Sequence, residues 1–330
     1  MNKPRPKPRL KMMSLAQLID RIHHEVQIQG WEADLNHLDV GNLSSFERLF
    51  AAHAHGLEPF NGDISRWNLS NALTLKEMFC GSKFKGDVSQ WDVSQVVNMT
   101  GLFREAEFNG DLSKWDVSKV THMNYMFMDG LFNQPIGDWD VFNVISMQYM
   151  FFNNKNFNQP LDAWNVSRVQ SMHGMFAYSN FNQPLDAWNV ESLIEAHEMF
   201  FASEFNQPLS SWNVKKLHGS SKMFSETPFE HDLSAWDLES LINGFCMFHG
   251  SKVTIAPIPK QLKKGYNDSH FAGYIDQTPF FEHLVDMGYP ASVRQDPFLE
   301  WVNIKTQQEH LEQHLQTASD PTLHPKKTRL

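Results

Sequence analysis

Apolar residues recur along the chain at a fixed interval of 24 or 25 residues. Each interval is marked by a Trp, with a Phe seven residues before it and a second Phe twelve residues after it. The stretch FNQPLDAWNVSRVQSMHGMF, from Phe157 to Phe176, shows the whole pattern. A repeat this short cannot bury its own apolar face, so the pattern predicts that the repeats stack and cover one another. The tryptophans predicted to form the core are Trp67, Trp91, Trp115, Trp139, Trp164, Trp188, Trp212 and Trp236.

A divergent ninth repeat precedes these eight. In LDVGNLSSFERLF, from Leu38 to Phe50, Leu38 takes the place of the Trp. The W-x-V spacing predicts a short strand with both side chains on one face, and V-x-x-M-x-x-M-F predicts a short helical turn. The Ser three residues after four of the eight tryptophans is placed to cap that turn. The predicted fold class is a repeat solenoid of about nine coils, with short parallel strands and short helical turns, over residues 38–254.

The segments outside the repeats predict helical caps. Residues from Ser14 to Gly30 carry one apolar stripe between a Ser and a Gly, which predicts an N-terminal capping helix within 14–37. Two further helical patterns, 278–288 and 296–317, predict a capping helical region over 255–317, and the basic tail 1–13 and the tail 318–330 are expected to be disordered. The Met eight residues after Trp becomes Ala196, Ser220 and Gly244 in the last repeats. Either the core narrows there, or a bulky side chain such as Phe245 fills the space.

The string FNQPL-x-x-WNV-S-x-V-x-x-M-x-x-MF resembles the repeat of the BspA-like leucine-rich repeat proteins, also called the mycoplasma-type lipoprotein or surface-protein repeat. The resemblance covers residues 38–250. It implies a leucine-rich-repeat-like fold, a bacterial or bacterium-derived gene, and binding to other proteins or host surfaces rather than catalysis, with a virulence or effector role among the possibilities. Because the sequence shows no classical signal peptide or anchor, we expect a cytoplasmic protein or export by a route that needs no signal peptide.

Charge excludes several partner classes. Lys and Arg number 28 against 38 Asp and Glu, and eight of the basic residues lie in the first eleven and last seven positions, so the body is acidic. An acidic body disfavours binding to nucleic acid. No run of 18 apolar residues exists, which argues against a membrane span. The two cysteines, Cys80 and Cys246, are too few for a disulfide framework.

Polar residues that repeat along the chain are interpreted as structural. An Asn or Asp follows each of the eight repeat tryptophans, and an Asn follows most of the first phenylalanines, and both are expected to pair with backbone groups of turns. The pairs His173/His197 and His310/His314 supply two imidazoles each and no third ligand, so we expect no metal site. Because no nucleophile or phosphate-binding signature is present, the sequence predicts no enzyme activity, no cofactor and no small-molecule substrate.

Function is sought where the repeats differ. Six residues near the second Phe of the middle repeats predict an apolar stripe for binding a partner protein: Tyr125, Met128, Tyr149, Phe152, Tyr178 and Phe201. The alternative is that these side chains only close the corner of each coil. The predicted function is a non-catalytic protein-protein interaction scaffold. Two alternatives stay open: a delivered effector or toxin component with an activity in the C-terminal region, and an immunity or inhibitor protein whose acidic body covers a basic partner.

Overall fold

The computed structural model describes residues 13–252, and within them one α-helix, α1, spans Leu15–Gln29. Ser14 caps it: the Ser14 side chain accepts from the backbone of Gln17, whose own side chain accepts from Ser14. The helix ends at Gly30, which has φ +83°. Leu18 and Ile22 are fully buried in the same core cluster as the first repeat. The apolar stripe read from the sequence therefore covers the start of the stack.

Successive repeats stack through one ladder of parallel β-bridges. Each bridging residue lies seven positions after the Trp, or after Leu38 in the first repeat, and pairs with its equivalent one coil later. The prediction of a repeat protein is confirmed, and the divergent first repeat joins the same ladder. The nine residues of this ladder are Ser45, Thr74, Asn98, His122, Ser146, Ser171, Glu195, Gly219 and Asn243, and a separate bridge joins Asp34 and Asp63.

The predicted strand at W-x-V is wrong, although both side chains are buried as expected. The parallel bridges lie further along each coil, and in residues 38–252 they stay isolated instead of extending into strands. Trp and the Val two residues later point inward from a segment that enters a turn. The reason is local: the Asn or Asp between them binds the backbone of that turn, which ends the extended segment.

The predicted helical turn is replaced by a segment that is hydrogen-bonded to the next coil. Its residues donate backbone hydrogen bonds to the next coil at every second position, as in Gly101 N–H to Asn124 C=O at 2.8 Å and Glu105 N–H to Met128 C=O at 2.7 Å. To keep this alternation, the residues ten and fourteen positions after every Trp adopt positive φ, whether or not they are glycine. A non-glycine residue pays about 1–2 kcal/mol for that conformation, which the hydrogen bonds between coils offset.

The aromatic residues form continuous columns inside the stack. The rings of Trp188 and Trp212 are 6.4 Å apart at an interplanar angle of 7°, and neighbouring phenylalanines stack in the same way. All eight predicted core tryptophans are buried. Each indole N–H donates to the backbone carbonyl of an apolar residue in the preceding coil, for example Trp91 to Ile64 at 3.0 Å. Because every buried indole has an acceptor, the column carries no unsatisfied donor.

The two repeated polar positions are structural, as predicted. The Asn or Asp after each repeat Trp accepts a hydrogen bond from the backbone N–H two residues later, at 3.0 Å to 3.5 Å across the stack. This side chain, and not the Ser predicted as the cap, closes the turn, and that Ser supplies the N–H. The Asn after the first Phe accepts from the backbone of the next coil, as Asn158 does from Asn182 at 2.9 Å.

Several predictions concern residues outside 13–252. These are the C-terminal helical region 255–317, the tails 1–13 (apart from Met13) and 318–330, and the pair His310/His314. They stay predictions.

Candidate functional site

One column of rings runs along the surface across four coils. Tyr125 stacks on Tyr149 at 5.2 Å between centroids, Tyr149 contacts the ring of His173 at 4.7 Å, and His173 meets His197 edge-on at 5.6 Å. These residues lie nine or ten positions after their tryptophans. The stacking of repeats therefore brings together side chains that are 24 residues apart in the sequence.

A second column lies beside the first. Phe152 and Tyr178 meet at 5.3 Å, and Tyr178 and Phe201 at 5.1 Å, both in edge-to-face geometry. The two columns join where Tyr149 contacts Phe152 at 5.6 Å. Five of the six residues predicted from the sequence thus form one contiguous surface with His173. We call this surface the aromatic patch, and it consists of Tyr125, Tyr149, Phe152, His173, Tyr178 and Phe201.

The sixth predicted residue, Met128, lies one coil before Phe152 at the equivalent position and is partly buried. Tyr178 is 38% exposed, and the other rings of the patch are partly buried against one another. The two interpretations of the sequence, corner closure and an accessible surface, are therefore compatible in this geometry. Each ring packs on its neighbours along the stack and leaves its outer side open to solvent.

Gly174 makes room for the centre of the patch. It occupies the position equivalent to Tyr149 one coil later, and a Cβ there would lie 2.6 Å from Cδ1 of the Tyr149 ring. The Tyr149 ring lies over this gap, and its hydroxyl is joined to Nε2 of His173 by a hydrogen bond of 2.8 Å. Burial raises the pKa of Tyr149 to about 12, with the charge of Glu198 acting in the same direction. Burial also lowers the pKa of His173.

Charged groups border the patch at its C-terminal end. Glu195 Oε2 lies 2.7 Å from Nε2 of His197, and Glu198 Oε1 lies 3.8 Å from the ammonium of Lys222. That ammonium is also 5.3 Å from the centre of the Phe201 ring, which is cation-π distance. Sequence reasoning did not include His173 in the patch. The signal available was the alternation of Tyr149 with Gly174 at one position, which marks a side chain that extends over its neighbour.

A scan against family models gives matches along almost the whole stack. Residues 25–106, 75–180, 104–204 and 164–260 each match the model of the family described as "Mycoplasma protein of unknown function, DUF285". The chain belongs to this family. No curated protein and no solved structure shows significant similarity to the chain.

The DUF285 repeats of this chain share the buried Trp and Phe positions and differ at the aromatic patch. Within residues 13–252, no group of three or more His, Cys, Asp or Glu residues is placed to hold a metal ion, and His173 and His197 instead contact Tyr149, Glu195 and Ser221. No helix in this part of the chain has the length and apolar character needed to cross a membrane. The arrangement offers flat aromatic surface, hydroxyl and imidazole hydrogen-bonding groups, and nearby carboxylates.

Proposed function

We propose that the chain is a non-catalytic scaffold that binds another protein through the aromatic patch. The finer points of this proposal are a leucine-rich-repeat-like solenoid of the BspA-like type, carried by a bacterial protein and without an enzymatic site. The observation that carries it is the contiguity of the patch: five rings from four successive repeats each lie 5.1 Å to 5.6 Å from the next.

The position of the patch within the stack supports the proposal. The buried Trp and Phe positions and the two repeated polar positions recur from repeat to repeat, because they hold the coils together. The patch residues do not follow from that task, since the equivalent positions elsewhere hold Glu77, Arg104 and Ser225. Tyr and Phe side chains at the surface provide large contact areas at small entropic cost, and aromatic residues are enriched at protein interfaces.

A capture experiment with three forms of the chain tests the proposal. Wild type, the double variant Phe152→Ser/Phe201→Ser and the control Phe142→Ser are each immobilised and exposed to cell extract under cross-linking conditions. Phe142 is 41% exposed but lies three residues after its Trp, away from the patch contacts. We expect the wild type and Phe142→Ser to capture the same protein and the double variant to lose it.

The unfolding midpoint of each variant is measured alongside, so that loss of capture is scored only for a folded protein. If the double variant stays folded and keeps every captured protein, the patch is not the binding surface and the proposal is wrong.

A further inference from the structure

We propose that the partner segment which the aromatic patch recognises is cationic, with Lys or Arg side chains that lie on the rings while the bordering carboxylates neutralise their charge. This inference rests on the proposed function, because it specifies the chemistry of the segment that occupies the same surface.

The chain itself shows this mode of contact at the end of the patch. The Lys222 ammonium lies over the ring of Phe201 at 5.3 Å and 3.8 Å from Glu198 Oε1. One aromatic face and one carboxylate thus hold one ammonium. A second surface ring behaves in the same way elsewhere on the stack, where the guanidinium of Arg168 lies 5.3 Å from the centre of the Phe142 ring.

The remaining patch rings lack such a cation. Within the described part of the chain, no Lys or Arg side chain lies over Tyr149, Phe152 or Tyr178. These rings continue the column that starts at Phe201, at spacings of about 5 Å. A partner with several cationic side chains could therefore continue along the stack the contact that Lys222 makes at one end.

Electrostatics favour the same occupant. Two carboxylates, those of Glu195 and Glu198, border the C-terminal end of the patch, against one ammonium, that of Lys222. The influence of Glu198 extends across the patch, since after burial its charge is a cause of the raised pKa of both Tyr149 and Tyr178. A negative potential over aromatic faces attracts cations and repels acidic segments.

Peptide binding to the full-length protein tests the inference. The probes are fluorescein-labelled (Gly-Arg)5, (Gly-Lys)5, (Gly-Ser)5 and (Gly-Glu)5, followed by anisotropy in 50 mM and 300 mM NaCl. We expect the two cationic peptides to bind with affinity that falls with salt, and the other two to bind at least tenfold more weakly.

Two pairs of variants locate the binding. Glu195→Gln/Glu198→Gln should weaken (Gly-Arg)5 binding about tenfold, whereas the control Glu77→Gln/Glu105→Gln, which removes the same charge from the N-terminal coils, should change it less than twofold. Lys222→Gln removes the internal cation and should tighten binding about threefold or more. Its control Lys76→Gln, on the N-terminal coils, should change binding less.

Each result bears on the inference. Equal weakening of (Gly-Arg)5 binding by the two Glu→Gln double variants would mean that the peptide senses only the general field of the acidic body. Binding of (Gly-Ser)5 as tightly as (Gly-Arg)5, or no peptide binding at all, would mean that charge is not recognised. Any of these results overturns the inference. The capture experiment separates the two proposals. If Phe152→Ser/Phe201→Ser loses its captured protein while no cationic peptide binds, the scaffold function stands and the cationic partner does not.

Discussion

The indole N–H of Trp188 donates a hydrogen bond of 2.8 Å to the backbone carbonyl of Leu161, one coil earlier. The same bond recurs at every Trp of the stack, so each coil is tied to its predecessor by a side chain as well as by backbone groups. Both groups are buried, and neither has access to water as a substitute partner. The columns therefore provide orientation between coils in addition to apolar burial.

Trp188→Phe should lower the free energy of unfolding by about 2–4 kcal/mol. The substitution removes the indole hydrogen bond to the Leu161 carbonyl, which keeps the bond from Trp164 N–H, and opens a cavity where the indole was. Urea unfolding followed by the fluorescence of the other tryptophans measures the change. Trp31→Phe is the control, since Trp31 is 41% exposed and should change stability by less than about 0.5 kcal/mol. Equal effects of the two substitutions would contradict the role assigned to the buried bond.

Gly174→Ala should be more destabilising than Gly101→Ala. Both glycines lie ten residues after their Trp with φ of +57° and +61°, so the backbone cost of about 1 kcal/mol is common to both. The new Cβ at 174 meets the Tyr149 ring at 2.6 Å, whereas at 101 it meets the flexible Glu77 side chain at 3.0 Å. We expect an additional loss of about 1–3 kcal/mol for Gly174→Ala.

The Tyr149→Ala background shows whether the ring is the cause. In that background the additional cost of Gly174→Ala should disappear, which a double-mutant cycle of unfolding free energies measures. An unchanged cost would show that Gly174 is needed for its backbone conformation alone.

The sequence predicted the core well because one period governs it. Trp164 and Phe176 are both buried, and so is Leu38, which the register alone assigned to a Trp position. The backbone between bridges was not predictable, because Tyr125 and Glu105 adopt positive φ where glycine would be expected. Their conformation follows from hydrogen bonds with the next coil, which no local pattern reports.

Five of the six members of the candidate site were predicted from the sequence, but their contacts were not. Spacing placed Phe152 and Phe201 near one another, yet the hydrogen bond between the Tyr149 hydroxyl and His173 depends on how the Tyr ring leans over Gly174. The expected gap at Ser220 gives the same lesson. Its hydroxyl contacts Sδ of Met247 in the next coil at 3.4 Å, so the side chain that approaches it is an unbranched one, where the sequence left open either a narrower core or a bulky side chain such as Phe245.

Stability should decrease as the pH falls below about 6.5, and His173 should contribute to the decrease. Burial, followed by the charge of His197, lowers the pKa of His173 from its ordinary 6.5, while Glu198 and Glu195 act in the opposite direction. The unfolded chain therefore takes up this proton at higher pH than the folded chain does. Between pH 6.5 and the lowered pKa of His173 in the folded chain, protonation of His173 favours unfolding. Above pH 6.5 the stability associated with the neutral His173 is fully present.

Urea midpoints of wild type and His173→Gln from pH 7.5 to 5.0 test this direction. Tyr149 hydroxyl titration does not interfere, because the pKa of about 12 lies far above this range. The wild type should lose more stability over the interval than the variant. A steeper loss in His173→Gln would mean that the carboxylates of Glu195 and Glu198 outweigh burial, and that the sign is wrong.

Lys85→Asn should stabilise the protein relative to Lys85→Ala by about 1 kcal/mol. The Asn ladder is interrupted at position 85: the Lys85 N–H donates to Asn61 Oδ1 at 2.7 Å, but in the described residues no side chain accepts from the Asn109 N–H one coil later. One coil further on, Asn109 Oδ1 accepts a hydrogen bond of 2.8 Å from the Asn133 N–H. An Asn at 85 would place its Oδ1 in the equivalent position, where it can accept from the Asn109 N–H. One added hydrogen bond between coils contributes about 0.5–1.5 kcal/mol.

The comparison with Lys85→Ala removes the other effect of the substitution. Both variants lose the exposed ion pair between Lys85 and Glu107, and both keep the backbone bond to Asn61. Their difference therefore reports the new bond to Asn109. Slower exchange of the Asn109 amide in Lys85→Asn than in Lys85→Ala would locate the gain at that group. If the two variants unfold at the same urea concentration, the ladder orders the turns without contributing to stability, and its regular recurrence reflects geometry alone.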